Sequence, residues 1–187
     1  MISIVLLAGL ASACATRSST KPVEILDERT GMTVGTLKEP LELMPSARDA
    51  ALVSGKHLSF AYLGPVEWNR SGALVYGLWV HLVPGIDGPP GDIHAPGALN
   101  LVLGDGPLEL TLTQEPRLAH APYRQVASWG QTAYFALTAQ DLRRMAASPS
   151  LKLEVRAADG SRMSFSPTGD SSAVLKQYVE SRGITGD

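Results

Sequence analysis

Apolar and polar positions alternate along most of this chain with a period of two, the spacing of a strand with one covered face. Residues 23–29 and 33–38 flank Thr30-Gly31 and predict a hairpin. Residues 57–63 put Leu58, Phe60 and Tyr62 on one face. Residues 98–114 predict the clearest hairpin. In it Leu99, Leu101 and Leu103 precede the turn Gly104-Asp105-Gly106-Pro107, Leu108, Leu110 and Leu112 follow it, and Asn100, Glu109, Thr111 and Thr113 face the other way. Residues 151–156 and 161–166 repeat the pattern around Asp159-Gly160, with Leu151, Leu153, Val155, Met163 and Phe165 inward. An Asp-Gly pair supplies the positive φ that a tight hairpin turn needs.

Ala73–Val83 breaks the rule, because it is apolar on both faces: Leu74, Tyr76, Leu78, Val80 and Leu82 on one, Val75, Trp79 and Val83 on the other. That predicts a central strand covered on both sides. Two segments have helical spacing instead. Thr138–Ala147 opens on a capping-box-like Thr138-Ala139-Gln140-Asp141, carries Leu142, Met145 and Ala146 as its stripe, and is closed by Pro149. Ser172–Arg182 buries Val174, Leu175, Tyr178 and Val179 and stops at Gly183. A further short helix is expected at residues 47–54. Strands dominate, so the expected fold is mainly β, a β-sandwich or partly closed barrel with these two short helices packed on it. The 18 glycines and 13 prolines among 187 residues are the dense punctuation that many short strands require.

A different pattern opens the chain. Ile2 to Leu10 is an almost unbroken apolar run, followed by Ala11-Ser12-Ala13 and the only cysteine, Cys14. The run fits the apolar core of a secretory signal, roughly 7–15 residues, and falls short of the ~20 needed to span a bilayer. Leu10-Ala11-Ser12-Ala13-Cys14 resembles the lipobox of bacterial lipoproteins, in which the thiol receives diacylglycerol before cleavage. Its leucine stands one place earlier than usual, and no Lys or Arg precedes the run. The expectation is a signal peptide at residues 1–13, a lipidated Cys14, a polar tether through Pro22 and a single β-rich domain over 23–187. A lone cysteine cannot close an internal disulfide, and lipidation gives it a role. Lipoproteins with Asp after the cysteine are held at the inner membrane in many Gram-negative bacteria. Ala15 therefore implies the outer membrane, facing the periplasm.

Net charge is −2, from 16 basic and 18 acidic residues, which argues against a nucleic-acid partner. Candidate chemistry is sparse. Asp87, Asp92 and His94 share the Gly/Pro-rich stretch 84–96, and two carboxylates with an imidazole are a possible divalent-metal set. Their spacing matches no standard site, and such a loop fixes ligand geometry badly. His81 sits on the apolar strand beside Trp79, where a packed core histidine is the simpler reading, and His57 and His120 have no partner at motif spacing. Gly-x-Ser-x-Gly, His-Glu-x-x-His, P-loop and dinucleotide fingerprints are missing, so no catalytic residue and no cofactor is implied. Trp68 and Trp79 are the aromatic candidates for contact with a partner, against core packing as the alternative.

Tyr62-Leu63-Gly64-Pro65, Asn69-Arg70-Ser71-Gly72 and Leu78-Trp79, with Asp27-Glu28-Arg29-Thr30-Gly31 earlier and Leu137-Thr138 and Leu142-Arg143 later, resemble a family of uncharacterised proteobacterial lipoproteins. That resemblance spans most of the chain and implies no catalytic role. Locally, Gly64-Pro65 and residues 69–72 have turn chemistry. The expected function is a membrane-anchored envelope lipoprotein acting as a non-enzymatic binding or assembly-support module. Its partners would be the membrane, through the lipid on Cys14, and an envelope protein. The alternative is a lipid-anchored periplasmic hydrolase or metal-dependent enzyme built on the Asp87–His94 loop.

Overall fold

The computed structural model describes residues 21–46, 59–85, 91–114, 118–156 and 160–184. The chain runs β1 (Pro22–Asp27), β2 (Met32–Leu37), β3 (Leu41–Pro45), β4 (Phe60–Arg70), β5 (Ala73–Val83), β6 (Leu99–Leu103), β7 (Gly106–Leu108), β8 (Thr111–Thr113), β9 (Gln131–Leu137), α1 (Ala139–Ala147), β10 (Leu151–Arg156), β11 (Arg162–Pro167) and α2 (Ser171–Ser181). All eleven strands belong to one antiparallel sheet, ordered β7-β6-β10-β11-β3-β4-β5-β9-β8, with β2 and then β1 branching from β4. This is the mainly β fold with two short helices that the pattern predicts, in its partly closed barrel form.

The closure follows from connectivity. β7 and β8 are the two ends of the strand order, yet only Glu109 and Leu110 separate them in the chain. Three peptide steps reach roughly 10 Å, so the sheet must curl until its edges approach each other. The predicted return strand 108–112 is thereby corrected. It begins as β7 beside β6, breaks, and resumes as β8 beside β9. Leucine alternation continues through the break, although Leu108 is buried and Leu112 is exposed.

β5 has the bounds expected of it, and from Gly77 to Leu82 it is buried on both faces. The β4–β5 turn is a two-residue hairpin: Arg70 pairs with Ala73, Ser71 and Gly72 have φ of 53° and 89°, and the Gly72 amide donates to Asn69 Oδ1. In contrast, Gly64-Pro65 is no turn, for β4 runs straight through it. The β10–β11 link is also longer than a tight Asp-Gly turn, since Arg156 pairs with Arg162. β3 and β9 are not among the expected strands: β3 alternates over only Leu41-Glu42-Leu43, and β9 shows no alternation. Cys14, His57, Leu58, Asp87, Asp159 and the expected helix at 47–54 lie outside the described residues.

Both helices lie within one residue of their expected bounds. Thr138 Oγ1 accepts from the Asp141 amide while Asp141 Oδ2 accepts from the Thr138 amide, completing the capping box. Leu142, Met145 and Ala146 of α1 are buried, as are Leu175, Tyr178 and Val179 of α2, which ends before Gly183 at φ 62°. Arg144 grips Asp105 in the β6–β7 turn with two bonds of 3.0 Å, and Ser172 Oγ donates to the Ala146 carbonyl.

Candidate functional site

β4 is where the sheet forks. Its residues 61–63 pair with β3 and its residues 66–69 pair with β2 on the same edge, so β2 and β3 lie end to end with a gap between them. Tyr123 fills the gap. Its hydroxyl donates to the Pro65 carbonyl at 2.7 Å and accepts from the Leu37 amide at 3.0 Å, replacing the missing ladder bond. In a strand the N–H and C=O of one residue point the same way. Pro65 therefore turns its missing donor toward this gap, where no strand would have received it, which is how a central strand accommodates proline. The Tyr123 ring lies where a Gly64 Cβ would be, which explains Gly64 inside a strand. Burial raises the Tyr123 phenol well above its ordinary pKa.

Tyr123 belongs to a strap, residues 118–130, laid across one face of the sheet. At the β1–β2 turn, Asp27 Oδ2 accepts from the Ala119 amide at 2.5 Å and Arg29 donates to the Leu118 carbonyl at 2.6 Å. Asp27 Oδ1 accepts from the Thr30 hydroxyl and amide, and these bonds with that to Ala119 hold its carboxyl below the usual range. Further along, the strap closes over His81. That ring is fully buried, stacks on Trp79 at 5.5 Å, shares a 2.8 Å hydrogen bond with Thr132 Oγ1, and lies where a Gly130 Cβ would be. Burial lowers the His81 pKa, and the Ala127 carbonyl works in the opposite direction.

The other face of β4 meets α2. Arg182 occupies the space a Gly35 Cβ would take, donates to the Val23 carbonyl, and lies 3.7 Å from Glu24. Tyr178 Oη donates to the Gly35 carbonyl at 3.2 Å. Glu67, in the same row as Gly35, is buried here, and desolvation raises its pKa against the pull of Arg182. These groups clamp the β1–β2 hairpin to the helix.

Beside the fork lies a groove of about 330 Å³, lined by Lys38, Glu39, Pro40, Tyr123, Arg124 and Val126. Val126 is 57% exposed and Trp129, three residues on, is 69% exposed. The titratable side chains His81, Glu67 and Tyr123 are enclosed, while the apolar and cationic groups of the strap face outward. The arrangement is suited to contact with a surface.

Asp92 and His94 are exposed, with Asp92 Oδ1 accepting from the His94 amide in a local turn, and no group of three or more metal-ligating side chains exists among the described residues. Trp68 and Trp79 are buried, Trp68 against Gly77 and Trp79 between His81 and Tyr123. The structure brings Trp79 and His81 together and keeps both from solvent. The exposed tryptophan is Trp129, which sequence reasoning passed over. Its one signal was a large aromatic in a stretch without helix or strand period. Comparison with protein-family models, curated proteins and solved structures finds no significant match in any of the three.

Proposed function

We propose that this chain is a bacterial envelope lipoprotein, anchored through lipid on Cys14 in the outer membrane and facing the periplasm. Its β domain acts as a non-enzymatic binding or assembly-support module. The observation that carries the reading is the run Leu10-Ala11-Ser12-Ala13-Cys14 behind an apolar stretch too short to span a bilayer. No helix among the described residues is long and apolar enough to cross a membrane, so attachment through a lipid suits the chain. The binding role is supported by Ile25, Leu26, Leu74 and Val75, which stand exposed near the tips of the β1–β2 and β4–β5 hairpins. Grouped exposed apolar side chains are the usual mark of a contact surface. The enclosure of His81 and Glu67 supports a role without turnover.

Radiolabelled palmitate fed to cells is the direct test. Wild type should incorporate label and fractionate with the outer membrane, and Cys14→Ser should do neither. Label in the Cys14→Ser chain would refute the anchor, and a wholly inner-membrane location would refute the destination. Crosslinking in intact cells followed by purification should capture an envelope protein on the wild-type chain, and that capture should weaken when Leu26 and Leu74 become serine.

A further inference from the structure

We infer that the strap is the membrane-facing surface of the domain: Val126 and Trp129 rest in the interfacial layer of a phospholipid bilayer, with Lys21, Lys38 and Arg124 against its headgroups. The inference rests on the lipid anchor proposed above and specifies how the anchored domain lies.

Seven residues lead from Cys14 to Lys21, where the described structure begins, and seven peptide steps extend at most about 25 Å. The anchor therefore holds Lys21 within about 25 Å of the bilayer. The Lys38 amide donates to the Lys21 carbonyl at 2.8 Å, and Lys38 lines the groove together with Arg124 and Val126. The start of the domain and the strap are thus neighbours. From there the strap reaches back to the β1–β2 turn, where Ala119 meets Asp27, about 17 Å away along β1.

Tryptophan has an apolar body and a polar N–H and favours the boundary between hydrocarbon and water. Trp129 is 69% exposed, although its side chain is among the costliest to leave in water. Lys21, Lys38 and Arg124 are exposed cations, and Lys38 and Arg124 line the groove with Val126, beside the carboxylate of Glu39. An anionic lipid surface attracts such cations. An acyl anchor, an interfacial aromatic and a few basic side chains then act from one side.

The three tryptophans make the test selective, because Trp68 and Trp79 are buried and Trp129 is not. The lipid-bearing chain, purified from membranes, is reconstituted into phosphatidylethanolamine–phosphatidylglycerol vesicles with brominated acyl chains, which quench nearby indoles. The expected result is lipid-dependent quenching together with lipid-dependent protection from aqueous acrylamide, and Trp129→Phe, left with two buried indoles, should show neither response. Replacing the brominated lipid with ordinary lipid should restore emission. Chain that floats with the vesicles yet shows no bromine quenching, with Trp129 open to acrylamide, overturns the inference and leaves the anchor standing. Protection from acrylamide without bromine quenching also overturns it, and assigns Trp129 to a protein contact. Chain that fails to float overturns the anchor and the inference together.

Discussion

Tyr123→Phe isolates one hydroxyl. The ring stays seated over Gly64 and near Trp79, at 5.1 Å, so little apolar contact is lost. The Leu37 amide and the Pro65 carbonyl, both buried, lose their partner together. An unsatisfied buried backbone group costs about 1–3 kcal/mol. Because the gap between β2 and β3 lets neither group reach a strand, the pair should cost about 2–4 kcal/mol. That is a large share of the ~5–15 kcal/mol available to a domain. Tyr178→Phe provides the scale: it removes a single bond of 3.2 Å to Gly35 and should cost about 1 kcal/mol. Equilibrium urea melts followed by far-UV circular dichroism on the chain carrying Cys14→Ser measure both, and hydrogen exchange reports on the Leu37 amide directly. A Tyr123→Phe midpoint within ~0.5 kcal/mol of the parent, with Leu37 still protected, would refute the claim that this hydroxyl closes the fork.

Leu78→Ala should cost about 2–5 kcal/mol and Trp79→Ala about 3–5 kcal/mol in the same melts, because adjacent residues on opposite faces of β5 are both buried; near-neutrality of either would expose one face. Gly64→Ala drives a methyl into the Tyr123 ring and should cost about 1–3 kcal/mol, whereas in a Tyr123→Leu chain, already weakened by loss of the hydroxyl, the same change should cost much less. His81 has a lowered folded-state pKa, so the unfolded chain binds its proton first and stability should fall as pH drops below about 6.5. Urea midpoints from pH 7.5 to 5.5 should show this slope in wild type and a flatter one in His81→Gln. Asp27 is depressed as well, so its contribution is present above about pH 4 and lost as pH falls through its folded value; Asp27→Asn should remove that acid limb and loosen the Ala119 amide in hydrogen exchange.

Much of the fold was legible because it is local. A period of two needs only the strand itself, and the capping box at Thr138 and the stop at Gly183 are bonds between near neighbours. What was illegible depends on distant partners. Gly64-Pro65 has turn chemistry, and only the Tyr123 hydroxyl, 58 residues away from Pro65, makes it a strand. Leu108 and Leu112 show one alternation, yet they pair with β6 and β9 at opposite edges of the sheet. The candidate site followed the same division. Trp68 and Trp79 attracted notice as large aromatics on patterned strands, and that patterning is what buries them. Trp129 lies in a patternless stretch, where exposure is decided by how the strap is pinned.

The pinning explains why an exposed Trp129 can hold a fixed position at all. A loop of this length left free would spend conformational entropy whenever it met a surface, at roughly 1–2 kcal/mol per residue ordered. Here the ordering is already done by folding. Asp27 and Arg29 fix residues 118–119, the two-way bond of Tyr123 fixes the middle, and Gly130 seated on His81 fixes the end. Val126 and Trp129 are carried between the last two of these points. A rigid strap turns their exposed area into contact energy with little left to repay, which a floppy connection of the same sequence could not do. It also ties any such contact to the integrity of the fork, so Tyr123→Phe should weaken lipid-dependent quenching of Trp129 at urea concentrations well below the unfolding transition.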